Sequence, residues 1–200
     1  MSIRSAAISA TLAFAVAASL DAQKPRALPS VDRQIAQAVT ALPAHMRADA
    51  TVLGYAAIHQ PLVTLREGTN GMICLAPNPA AKEFHAACYQ KAMEPFMARG
   101  RELRAQGIKG DNVDSVRFAE VRAGKLVMPT QPSMLYQIFG GTFDAATSKV
   151  HGGTAFFVTY IPFATEESTG ISARPSQKEP WIMFPGTPKA HIMFLGSKMQ

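Results

Sequence analysis

Catalytic signatures are missing from this sequence of 200 residues. It contains no H-E-x-x-H, no G-x-S-x-G and no S-x-x-K. It also lacks a P-loop, a G-x-G-x-x-G turn and an EF-hand loop. Those absences remove the commonest metalloprotease, serine-hydrolase, nucleotide-binding and calcium-binding readings. Cysteine is scarce, with Cys74 and Cys88 the only two. There is no C-x-x-C for a thioredoxin-like redox centre and no C-x-x-C-H for covalent haem. Charge is thin: Asp, Glu, Lys and Arg make up 17% of the chain, against 48% hydrophobic residues. That balance describes a folding chain rather than a disordered one. Past residue 20 no apolar run approaches the roughly 20 residues that span a bilayer.

What is present begins with an export signal. Arg4 supplies a positive charge, Ala6 to Leu20 is uncharged and apolar, and small residues close the run. That is the order of a secretory signal peptide. Cleavage fits after Ala17, where Ala15-Val16-Ala17 gives an A-x-A pattern, or after Ala22, which is preferred. An uncleaved anchor is the alternative, and the short run argues against it. No Cys follows the run, so a lipid-modified N-terminus is not expected. Residues 1–22 therefore read as signal peptide, 23–29 as an extended leader with Pro25 and Pro29, and 30–200 as a single globular domain. The expected location is periplasmic or extracellular.

The net charge is +6. Lys and Arg are scattered, and the densest group, Arg99, Arg101 and Arg104, falls on a predicted helix whose solvated face explains it. Nucleic acid is not an expected partner, because it needs a clustered basic footprint. A weak attraction to an anionic cell envelope fits better. In an oxidising compartment Cys74 and Cys88 are expected to pair. The bridge would close a loop holding Pro77 and Pro79, stabilised by about 3 kcal/mol in the chain-entropy model.

Ser30 can cap a helix running to about Leu42, with Val31, Ile35, Ala38 and Val39 on one stripe and Pro43 ending it. Thr51 to Ile58, Leu62 to Arg66 and Met72 to Leu75 read as strands, with Gly68-Thr69-Asn70-Gly71 as a hairpin turn. Phe84, Cys88, Ala92, Phe96 and Leu103 share one face of a predicted helix from about Glu83 to Gln106. The bridge would then staple a strand to this helix. Pro95 either kinks the helix or begins a second one. Asp111 to Ala123 is a further helix. Leu135 to Phe139, Thr154 to Ile161 and His191 to Leu195 are rich in strand-forming residues. Ala164 to Pro180 reads as one long surface loop. The fold class expected is α+β, a mainly antiparallel sheet packed with two or three helices.

Candidate site residues are few. Arg66 and Asn70 flank the tight turn near Cys74 and could present themselves to an anion; a plain hairpin is the simpler alternative. Of the five histidines, none is spaced from another as an i, i+2 or i, i+4 ligand. His191 shares a strand face with Met193. With nine methionines beyond Met1, copper handling outside the cytoplasm is one reading, and methionines filling an irregular core is the plainer one. No metal ligand set and no cofactor are assigned. The carboxylates Glu166-Glu167, Asp111 and Asp114 read as solvated.

The chain resembles a group of exported bacterial proteins with no assigned activity. The shared features are Leu65-Arg66-x-Gly68-x-Asn70-Gly71-x-x-Cys74, a helix holding the second Cys, Gly152-Gly153, and Pro188-x-x-His191-Ile192-Met193. They span roughly residues 62–195. The chain departs from that group at Met72, where Trp is usual, and after Gly153, a region usually richer in Ser and Asp. The resemblance implies a family and transfers no catalytic residue. The leading expectation is an exported binding or accessory domain without catalytic activity, its ligand near Arg66, Asn70 and His191. The alternatives are an unfamiliar enzyme using His191 or His85 with a carboxylate, and periplasmic metal handling.

Overall fold

The structure, a computed structural model, describes residues 27–198. The predicted signal peptide and most of the predicted leader lie outside the described residues. Ten strands and four α-helices follow in chain order: α1 (Val31–Ala38), β1 (Thr51–Tyr55), β2 (Leu62–Arg66), β3 (Met72–Leu75), β4 (His85–Gln90), α2 (Glu94–Ala105), α3 (Asp111–Arg122), β5 (Ser133–Phe139), β6 (Thr142–Asp144), β7 (Lys149–His151), β8 (Thr154–Tyr160), α4 (Glu166–Thr169), β9 (Trp181–Met183) and β10 (His191–Lys198). Eight strands form one sheet in the order β2-β1-β3-β4-β5-β8-β10-β9, and β6 and β7 form a separate hairpin. Every neighbouring pair in the large sheet is antiparallel except β1 with β3. The α+β expectation holds, with a larger sheet than the predicted packing suggested. Among the described residues no helix is long and apolar enough to cross a membrane.

Strand alternation sends two sets of side chains to opposite faces of the sheet. One row, Ile73, Tyr89, Leu135, Val158, Met193 and Trp181, runs unbroken across six strands. It forms a core with Met93 and Phe96, and Phe118 and Val121 of α3 pack against it. The opposite face sets Val52, Cys74 and Cys88 side by side under Ala38 and Leu42. Ser30 caps α1 as predicted, its side chain accepting from Arg33 N.

Two predicted elements differ. Cys88 lies in β4, not in a helix, and the helix begins at Glu94 with Pro95 in its first turn. The period misleads because β4 is buried on both faces (Ala86, Ala87, Cys88 and Tyr89), so it carries no polar alternation. The Cys74–Cys88 bridge therefore joins two adjacent antiparallel strands at directly paired positions. The second difference is the turn at 67–71. It does not make a hairpin, because β2 and β3 both pair with β1, on opposite sides. Within the long loop, Glu166–Thr169 folds into a single helical turn with a capping box from Thr165 and Ser168.

Candidate functional site

Arg66 closes β2, and its guanidinium is committed to backbone. Nη2 donates to Arg47 O at 2.6 Å and Ala50 O at 2.9 Å, and Nε donates to Ala50 O at 3.1 Å. Asn70 Nδ2 donates to Met46 O at 2.7 Å, while Oδ1 accepts from Met72 N at 3.0 Å. Thr69 N and Asn70 N both donate to Asp49 O. The Leu65–Gly71 segment is thus a clasp holding residues 46–51 against the sheet. Gly68 makes the contact possible, since a Cβ there would lie 2.2 Å from Thr51 N. His191 is elsewhere. β2 is an edge strand and β10 lies six strands away, roughly 29 Å at about 4.8 Å per strand. The structure does not bring Arg66 and Asn70 together with His191.

His191 opens β10 and pairs with Tyr160 on β8 and Met183 on β9. It is buried, and its ring centroid lies 4.9 Å from that of Tyr160 and 5.8 Å from that of Phe184. Its Nδ1 is 2.7 Å from Lys189 O. A carbonyl only accepts, so Nδ1 carries the hydrogen and Nε2 keeps its lone pair. Burial holds the imidazole pKa below its usual value, with the Lys189 ammonium acting in the same direction. Burial also pushes the Tyr160 phenol up to about 12. Both rings are therefore neutral at pH 7. Neither Nε2 nor the Tyr160 hydroxyl hydrogen-bonds another described residue.

Charged groups back this pair from α3. Asp114 accepts from Lys189 Nζ at 2.8 Å and from Arg117 Nη2. Burial alone would raise the Asp114 carboxyl, but Lys189 and Arg117 outweigh it and hold the pKa below the ordinary carboxylate value. Arg117 is buried, its guanidinium carbon 3.8 Å from the Phe96 ring centroid, its Nη1 donating to Phe96 O at 3.1 Å. Its Nε is the only buried side-chain nitrogen or oxygen without a hydrogen-bond partner among the described residues. Two cations share one carboxylate, so the cluster carries a net positive charge.

No family model, no curated protein and no solved structure matches the chain. Phe184 follows β9 with φ +54°, and Phe163 has φ +65°. Both are exposed, at 39% and 49%. A bulky side chain in the left-handed region costs about 1–3 kcal/mol, and such strain gathers at functional positions. Thr187 holds the rim, its N–H and hydroxyl donating to Phe184 O at 3.2 and 2.7 Å and its own carbonyl accepting from Phe163 N at 2.9 Å. Lys189 Nζ sits 4.2 Å from the Phe184 ring centroid.

The alternatives fare differently. Among the described residues neither His85 nor His191 is hydrogen-bonded to a carboxylate; His85 Nε2 faces Gln137 Oε1 at 3.5 Å. Among the described residues no three or more His, Cys, Asp or Glu are grouped to hold a metal. Met193 is buried in the helix-covered core. The Arg99, Arg101 and Arg104 group lies on α2. Arg99 is paired with Glu102 and Glu120, Arg101 with Glu94, and Arg104 donates to Gly100 O. Sequence reasoning found His191 but missed Tyr160, Lys189, Arg117 and Phe184. The available signal was local: Lys189-x-His191 puts a basic side chain and its carbonyl two residues before the ring.

Proposed function

We propose that the chain is an exported binding domain, acting in the periplasm or outside the cell, that recognises its ligand at His191. The observation that carries this reading is a pair of polar groups, His191 Nε2 and the Tyr160 hydroxyl, that hydrogen-bond no other described residue, on neighbouring rings of which that of His191 also packs against Phe184. An acceptor beside a hydroxyl suits a ligand hydroxyl. The exposed Phe184 ring, with Lys189 Nζ 4.2 Å from its centroid, offers a flat apolar surface beside His191. The ligand class is a small hydroxylated ring, such as a sugar or a phenol. Binding is favoured over catalysis because Asp114 is locked into two ion pairs and is not free to drive His191 as a base. Export is supported by residues 1–22 and by a bridge of the kind that forms in oxidising compartments.

Two experiments test this reading. A thermal-shift screen of sugars and phenols is expected to yield compounds that raise the Tm of the wild-type chain but not that of a folded His191→Phe variant. If no compound raises it, or if the hits survive in the variant, the site assignment fails. Intact mass of the chain recovered from cells is expected to match a start at Gln23 with both cysteines oxidised. A full-length, reduced chain in the cytosol would remove the export reading.

A further inference from the structure

A concavity that does not include His191 lies between the start of α1, the 77–84 loop and the start of β6. Its volume of about 400 Å³ falls in the range of small-molecule sites, roughly 300–1,000 Å³. Phe84 and Phe143 line it with stacked rings, centroids 6.5 Å apart and planes within 1°. Arg33, Lys82 and Glu83 bring charge to the same lining, and Asn78 brings an amide. None of the three charged side chains makes an ion pair or side-chain hydrogen bond with another described residue. The Arg33 guanidinium lies over the Phe143 ring, 5.9 Å from its centroid. The Asn78 Oδ1 is taken by Ala80 N at 2.9 Å, which leaves its amide nitrogen to donate.

This lining combines two cations and one carboxylate without side-chain partners among the described residues, an amide donor and an aromatic wall in one concavity. A simple anion would meet Glu83, and a simple cation would meet Arg33 and Lys82. The geometry points to a zwitterion: a free amino acid with an apolar side chain. Its carboxylate would sit with Arg33 and Lys82, its ammonium with Glu83, and its side chain against Phe84 and Phe143. Carboxylate pairing with a guanidinium is the strongest of these contacts, and the aromatic wall selects apolar over polar side chains. The site is independent of the His191 cluster and does not require that cluster to bind anything.

The test is protein-observed NMR on the mature chain with L-phenylalanine as probe. Shifts are expected at the backbone amides of Lys82, Phe84, Thr142 and Phe143. 3-Phenylpropionate, which lacks the amine, and phenethylamine, which lacks the carboxylate, should each bind at least tenfold more weakly, a loss of about 1.4 kcal/mol. Arg33→Gln with Lys82→Gln should weaken L-phenylalanine at least tenfold while leaving the urea midpoint unchanged, since neither side chain supports the fold. His191→Phe should leave this binding intact, which separates the outcome from the previous reading. Silence at about 10 mM ligand, well above a Kd of roughly 1 mM, overturns the proposal. So does equal binding by either single-charge analogue, or binding that survives the double variant.

Discussion

Two glycines in one turn show how differently the same residue is used. Gly71 has φ +73° and open space where a Cβ would go, so only its backbone is special. Gly71→Ala is expected to cost about 1 kcal/mol. Gly68 has no such φ, but backbone atoms of Asp49, Ala50 and Thr51 would all lie within 2.4 Å of a Cβ. Gly68→Ala is expected to cost about 3 kcal/mol or more, and urea titration of the two variants measures the contrast. Arg66→Met removes three hydrogen bonds to carbonyls and should cost about 2 kcal/mol or more. It should leave ligand binding at His191 unchanged. His191 adds a pH effect. Burial lowers its folded pKa, so the unfolded chain takes up a proton first as pH falls below about 6.5. Stability is then complete above that pH and is lost on acidification. The urea midpoint should fall from pH 7.5 to pH 5, less steeply in His191→Phe; equal slopes in the two proteins would refute the effect. Arg66 and Asn70 stand out in the sequence by type and by neighbouring Gly, and His191 by type and by its place at the head of an apolar run. Their partners do not: Asn70 answers a carbonyl at residue 46 and Asp114 answers an ammonium at residue 189, distances along the chain that no local pattern encodes.

At the scale of elements, the informative case is β4. Phe84, Cys88 and Phe96 do share a helical spacing, yet β4 sits between β3 and β5 and buries both of its faces. A strand covered on both sides loses the alternation by which strands are recognised. The predicted β2–β3 hairpin failed for a related reason. The turn residues were read correctly, but the choice of partner belongs to β1, whose own start is pinned by Asp49 and Ala50 to the clasp. By contrast α1 and its Ser30 cap were legible, because a cap and its helix lie within one turn. The bridge now spans paired strands rather than a strand and a helix. Cys74→Ala with Cys88→Ala should still cost about 3 kcal/mol, the value set by a loop of this length. Urea unfolding of the double variant against the oxidised wild type measures it, and a loss near zero would show that strand pairing alone fixes this corner.

Across the whole molecule, the α+β class was legible from separated helical and strand-like stretches. The order of the eight strands was not, since it depends on pairings such as β5 with β8 and β4 with β5 that skip over helices or hairpins. That order carries a prediction for hydrogen exchange. β5 and β8 lie inside the sheet with partners on both sides, whereas β2 and β9 are its edges. Amides of Leu135, Ile138 and Val158 should exchange slowest and those of β2 and β9 fastest; the reverse ranking would contradict the strand order. The same sheet governs the chemistry of its two thiols. Cys74 and Cys88 have no solvent exposure once folded, and the chain holds no third cysteine. Scrambling within a molecule has no alternative product, and the folded sheet with the elements packed on it shields both sulfurs from a neighbour. A covalent dimer on a non-reducing gel would therefore be a fossil of chains that collided before their strands had zipped together.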